Sequence, residues 1–159
     1  ITNRPEDFLD VGSPFLLYYL YGVLAQMGNL ERVIRDMEKR WGEMLRYDST
    51  TCWEVFPGFY ENARTRSYCH AWSSAPALLM QKYLLGIKRD EEGFKKISIC
   101  LPDTDIRWCR GSIPTPFGNI ESTWDKNDKV FLVRIPEQIE INEVKVEDFN
   151  VIVERTLNG

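Results

Sequence analysis

The sequence predicts an α+β chain, with helices over residues 1–90 followed by an antiparallel β-sandwich over 91–159. Three observations predict it. Up to about residue 90 the apolar residues recur at helical spacing. After Gly93 the apolar runs become short and alternate with polar residues. Pro, Asp and Asn then punctuate the runs at Pro102-Asp103, Pro114, Pro116, Asp125 to Asp128 and Pro136. The period changes once, so the two halves read as two domains meeting near residue 90.

The first helix is expected from Phe15 to about Met27. Ser13 suits an N-cap, Pro14 the first helical position and Gly28 the C-terminal stop. Its residues Phe15, Leu16, Leu17, Tyr18, Tyr19, Leu20, Tyr21, Val23 and Leu24 are apolar almost all round, which calls for burial on most sides. The remaining chain is too small to provide it. The apolar run is also too short to cross a bilayer, which takes about 20 residues. Asn29 is expected to cap a second helix, whose inner positions are Leu30, Val33, Ile34, Met37, Trp41, Met44 and Leu45. Charged residues from Glu31 to Arg40 form its wet face. An all-apolar helix joined to an amphipathic one fits the inner and outer helices of a double-layered α-barrel, and fits a plain helical hairpin equally well.

Residues 47–72 read as a long irregular loop rich in aromatics, namely Trp53, Phe56, Phe59, Tyr60, Tyr68 and Trp72. Loops of that length within compact domains are usually functional or disordered, and this composition is not that of disorder. A third helix is expected from Ser73–Pro76 to Gly86. Strands are expected at 95–100, 106–113, 118–124, 130–135, 139–146 and 151–155. Phe131, Val133 and Ile135 alternate with Leu132 and Arg134, the pattern of a half-buried strand.

The chain's 159 residues are 43% hydrophobic and 28% charged, which is globular. A formal net charge of -4 argues against a nucleic-acid partner and against an acidic membrane surface. The chain has no initiator Met and opens at Ile1-Thr2-Asn3, so it reads as a piece of a larger protein. Cys52, Cys69, Cys100 and Cys109 lack the close pairs of a structural zinc site and are expected to be reduced and mostly buried.

Two segments carry chemistry. In Thr50-Thr51-Cys52-Trp53-Glu54-Val55-Phe56 a lone carboxylate has apolar neighbours, a setting that favours proton transfer. A solvent-facing Glu54 with inward neighbours is the plainer alternative. In Ser67-Tyr68-Cys69-His70-Ala71-Trp72-Ser73-Ser74 the chain's single histidine lies before a helix. No partner at ligand spacing makes it a metal site, and Ser73 and Ser74 lie in no nucleophile elbow. A His that hydrogen-bonds a polar ligand beside aromatic platforms remains.

These segments resemble the α-L-rhamnosidases of glycoside hydrolase family 78. The match also takes in Gly12-Ser13-Pro14-Phe15, Trp41-Gly42-Glu43-Met44-Leu45, and the passage from Leu84 through Gly93-Phe94 to Gly111-Ser112-Ile113-Pro114-Thr115-Pro116-Phe117-Gly118, all in the family's order. The resemblance implies that residues 1–90 are the last part of an (α/α)6-barrel catalytic domain and residues 91–159 its C-terminal β-sandwich. It implies hydrolysis of terminal α-L-rhamnosides with inversion by the full-length parent. Glu54 would be the general base and His70 a sugar contact, with Trp53 and Trp72 as neighbours that either bind the substrate or pack behind the site. The general acid would lie upstream, so this piece alone would be inactive; Glu6-Asp7, Asp103 and Asp105 sit in no comparable motif. The family's His-Gly-Trp-Ser-Ser-Gly has glycine where this chain has Ala71 and Ala75. No cofactor and no metal are implied. The implied partners are a rhamnoside and the rest of the barrel; compartment and homo-oligomer formation stay open. A rival reading is a carbohydrate-binding sandwich with a helical adaptor, presenting Trp108 or Trp124 as a platform; another is an (α/α)6-barrel hydrolase of a different sugar.

Overall fold

A computed structural model describes residues 11–59, 61 and 64–157. Helices α1 (Phe15–Gln26), α2 (Leu30–Arg46) and α3 (Ala75–Leu84) come first. Seven strands follow: β1 (Ile87–Arg89), β2 (Lys96–Cys100), β3 (Trp108–Thr115), β4 (Gly118–Asp125), β5 (Val130–Pro136), β6 (Glu140–Lys145) and β7 (Asn150–Thr156). The chain divides into two units between Pro76 and Ala77, in the first turn of α3. Among the described residues, no helix is long and apolar enough to cross a membrane.

In the first unit, Pro14 enters α1 with φ -61°, and the Ser13 hydroxyl accepts the Phe15 amide at 3.4 Å. The helix closes in a Schellman turn. Gly28 takes φ +76°, its amide donates to the Ala25 carbonyl at 3.1 Å, and the Asn29 amide donates to Leu24 at 2.9 Å. Asn29 precedes α2 but does not cap it with its side chain, which instead donates to the Met27 carbonyl at 3.1 Å. That carbonyl is an orphan of the last turn of α1, so the tight junction diverts the capping group. The same closing device ends α2, where Asp48 takes φ 57°.

Only one stripe of α1 is covered. Leu17 and Tyr21 are fully buried, with Val33, Met37 and Met44 of α2 buried beside them in sequence pattern. The Tyr21 hydroxyl donates to Asp36 Oδ2 at 2.5 Å, and Arg40 Nε reaches the same oxygen at 3.0 Å. Phe15, Leu16, Tyr18, Tyr19, Leu20 and Val23 stay exposed. The apolar helix therefore keeps an open face, as expected of a helix this chain is too small to bury. Leu45, expected on the inner face of α2, is exposed as well.

In the second unit, β1-β2-β6 form one sheet and β3-β4-β5-β7 the other. Both feed one core of Ile87, Ile97, Ile99, Ile113, Ile120, Trp124, Phe131, Val133, Ile135 and Ile139. Phe131, Val133 and Ile135 point inward along β5, as their alternation predicts. Pairing is antiparallel within β1-β2 and β3-β4-β5. Each sheet adds one parallel pair, β2 with β6 and β5 with β7. The core also satisfies the end of α3. Trp124 Nε1 donates to the Leu84 carbonyl at 2.7 Å and the Ser122 hydroxyl to the Leu85 carbonyl at 2.6 Å, two carbonyls that the helix leaves without partners.

Candidate active site

The long loop of the first unit folds back on itself as two paired arms. The His70 amide donates to the Cys52 carbonyl at 2.9 Å and the Glu54 amide to the Ser67 carbonyl at 3.0 Å. The Thr51 hydroxyl donates to the Tyr68 carbonyl. Thr65 closes the pairing from within: its buried hydroxyl accepts the Val55 amide at 3.3 Å and donates to the Ser67 carbonyl at 3.2 Å. The start of α1 anchors the same arm. The Ser13 hydroxyl donates to the Glu54 carbonyl at 3.3 Å, and the Phe56 amide donates to the Gly12 carbonyl at 2.9 Å. A Cβ on Gly12 would fall 2.0 Å from the Phe59 ring, so only glycine fits there.

The apolar neighbours of Glu54 drive its placement. Trp53, Val55 and Phe56 are buried, and their burial fixes the arm. The Glu54 side chain is left 22% exposed and that of His70 27% exposed, with Nδ1 of His70 4.0 Å from Oε2 of Glu54. This exceeds a hydrogen bond, so both groups keep polar capacity for a third partner. The His70 ring lies 3.9 Å from the Trp72 ring, centroid to centroid, and Trp72 lies 5.4 Å from Phe15.

The four residues singled out by sequence thus separate into two kinds. Glu54, His70 and Trp72 come together, and Trp72 is 44% exposed. Trp53 is 3% exposed, with its ring against Tyr68 at 5.2 Å and Tyr47 at 6.2 Å. Its indole face is spent on packing and offers no platform for a sugar. After His70 the chain turns through a 3₁₀ segment, Ala71–Ser74. Trp41 Nε1 holds that turn by donating to the Ser73 carbonyl at 2.8 Å. Ala75 has φ -46°, and Ala71 is not among the residues with positive φ. Alanine therefore costs the backbone nothing at either position where the family motif has glycine.

Two residues that sequence reasoning gave no site role also belong to this constellation. Phe15 flanks Trp72, and Ser13 fixes the Glu54 backbone. Their signal was present, since both lie in the Gly12-Ser13-Pro14-Phe15 phrase. Glu6 and Asp7 lie outside the described residues. Among the described residues no three His, Cys, Asp or Glu side chains gather as metal ligands. Three of the four cysteines are half-buried, whereas Cys69 is exposed, contrary to its expected burial; all four are free thiols. The paired loop sets Cys69 at the edge of its arm, beside the site.

Residues 9–84 match the family model described as the bacterial alpha-L-rhamnosidase 6 hairpin glycosidase domain. Residues 86–147 match the bacterial alpha-L-rhamnosidase C-terminal domain. Among solved structures, the chain resembles the GH78 family rhamnosidase of Bacillus sp. GL1 with 34% identity and a TM-score of 0.82. The alignment covers 99% of this chain and 17% of that one. No curated protein sequence matches.

Proposed function

Because this chain belongs to the bacterial α-L-rhamnosidases of glycoside hydrolase family 78, we propose that it carries the general-base side of an inverting glycosidase site acting on terminal α-L-rhamnosides. The rest of the catalytic barrel, including the general acid, completes the enzyme. Residues 1–90 belong to the barrel in this reading and residues 91–159 to the sandwich. The observation that carries it is the 4.0 Å approach of His70 to Glu54 with the Trp72 ring tilted against His70.

An inverting glycosidase sets a carboxylate base about 6.5–9.5 Å from its carboxylic acid, leaving room for the water that attacks the anomeric carbon. Glu54 takes the proton of that water. His70 hydrogen-bonds a sugar hydroxyl, and the Trp72 ring presents an apolar face to the pyranose. Trp53 holds the arm from behind. The hydrogen bonds of Ser13 and Ser67 to the Glu54 backbone keep the carboxylate from drifting, and orientation of this kind supplies a large part of a catalytic effect.

The test is Glu54→Gln in the full-length parent. It keeps the shape and removes the proton acceptor, so turnover of an aryl α-L-rhamnoside is expected to fall about 10²-fold or more, with a smaller change in KM. Added azide, which needs no base, is expected to restore part of the rate. Near-normal turnover in the variant would sink the assignment. The 159-residue chain alone is expected to give no useful hydrolysis, because nothing protonates the leaving oxygen.

One observation favours a second reading, a sugar-binding sandwich: Trp108 is 64% exposed on β3. Trp124, the other platform considered for that reading, is fully buried and bonded to Leu84, so Trp108 alone could serve.

A further inference from the structure

Trp41 stands on the inner stripe of α2. Val33, Met37 and Met44 are the buried residues of that helix, and Trp41 follows Met37 by about one turn, so its side chain leaves the helix on the same side. There it meets both arms of the loop. Against the first arm its ring packs edge-on to Phe56, two residues beyond Glu54, with centroids 5.1 Å apart and planes at 82°. Towards the second arm Nε1 donates to the Ser73 carbonyl at 2.8 Å, and the Ser73 amide donates in turn to the His70 carbonyl at 3.1 Å. Ser73 is fully buried, and its hydroxyl meets no hydrogen-bond partner among the described residues, so its backbone does the holding. The neighbouring Arg40 secures the first arm from the same helix: its guanidinium lies over the Phe56 ring at 5.4 Å, and Nη1 donates to the Val11 carbonyl at 3.3 Å.

We propose that Trp41 is a positioning residue, which sets the separation of Glu54 and His70 by tying both arms to α2. The arms pair with each other through few backbone hydrogen bonds, at Cys52 with His70 and at Glu54 with Ser67, and a pairing that short opens locally at small cost. The indole opposes opening from outside the pair. Moving the first arm strips the ring edge from Phe56, and moving the second breaks the bond to Ser73. An indole supplies both contacts at once, an apolar ring and a fixed N–H donor. Trp41 acts through Glu54 and His70, not on the sugar. What that separation is used for rests on the glycosidase reading; the tether itself does not.

The test is Trp41→Phe in the full-length parent, which keeps a ring against Phe56 and removes the N–H. Hydrogen exchange read by mass spectrometry is expected to quicken about tenfold or more at the His70 and Ser73 amides, with peptides from 30–40 unchanged. The KM for an aryl α-L-rhamnoside is expected to rise about 3- to 5-fold, with a smaller change in kcat. In a His70→Ala background the same change should add less than about 1.5-fold, because the side chain it displaces is gone; a general loss of structure would cut both backgrounds alike. Unchanged exchange at His70 and Ser73, or equal losses in the two backgrounds, would overturn the proposal. If His70→Ala alone leaves KM unchanged, the sugar contact is withdrawn and the exchange result decides the tether by itself. If Trp41→Phe does not accumulate as folded enzyme, Phe56→Leu removes the ring contact from the other arm, and exchange at the Glu54 amide is expected to quicken about tenfold; no change there would equally overturn the proposal.

Discussion

Nδ1 of His70 and Oε2 of Glu54 stand 4.0 Å apart across two arms of a single loop. The contact depends on backbone pairing at Cys52 with His70 and at Glu54 with Ser67. Neither side chain is needed to hold the other, so each can be altered with the arms still in register. This separation makes the site accessible to substitution.

His70→Ala in the full-length parent is expected to raise KM about 3- to 10-fold with a smaller fall in kcat. That is the loss of one hydrogen bond to a bound hydroxyl, about 0.5–1.5 kcal/mol. Steady-state kinetics on an aryl rhamnoside reads both. A fall confined to kcat would assign His70 to the chemical step instead.

Trp108 separates the two functional readings. If the sandwich is a sugar-binding module, Trp108→Ala should abolish retention of the chain on an immobilised rhamnose-containing polymer, since base- or sugar-stacked indoles dominate such contacts. The glycosidase reading expects the parent carrying the same change to keep kcat/KM within about twofold. Affinity electrophoresis and kinetics give the two answers independently.

Gly86→Ala is expected to destabilise the second unit by about 2–4 kcal/mol, read from the urea midpoint. Gly86 follows α3 with φ +69°, and a Cβ there would lie 2.6 Å from Phe131 Cζ and 2.8 Å from the Cys100 carbonyl. Gly28 has the same kind of φ, +76°, but open space around it, so Gly28→Ala should cost less. Equal costs would show that packing around Phe131 relaxes freely.

Tyr21 gives an alkaline signature. Its pKa is pushed up from 10.0, first by burial and then by its hydrogen bond to Asp36. The folded chain holds that proton more tightly than the unfolded one. The stabilisation is therefore complete below the unfolded value and is lost as pH rises above about 10 towards the folded value. Denaturant titrations of the native chain should show stability falling steeply there, and Tyr21→Phe should flatten the slope while lowering stability at neutral pH. Unchanged slopes would mean that Tyr21 ionises without unfolding.

The local devices were legible and the long-range ones were not. Ser13, Pro14 and Gly28 mark α1 because capping and left-handed closure depend on neighbouring residues alone. Phe131, Val133 and Ile135 betray β5 by their period. Three-residue β1 escaped notice because so short a segment has no measurable period. The two parallel pairings were equally hidden, since a strand's partner is chosen by the assembled core and not by its own pattern. At the site, the chemistry of Glu54 and His70 was readable from type and resemblance, but their approach required the pairing of 51–56 with 65–70. The fate of Trp53 was decided by Tyr47 and Tyr68, which no spacing rule links to it.

The two parallel pairings also set a schedule for the chain as it is made. β6 and β7 are edge strands, each completing a different sheet begun much earlier. With translation at about 5–20 residues per second, β2 waits roughly 2–9 s for residues 140–145. During that interval β2 presents a bare ladder edge, and β5 presents another until residues 150–156 are made, the kind of surface that recruits strands from other chains. A ribosome that stalls or terminates before residue 140 leaves both sheets unfinished at once, and the product is a target for aggregation and proteolysis, not a shorter working domain.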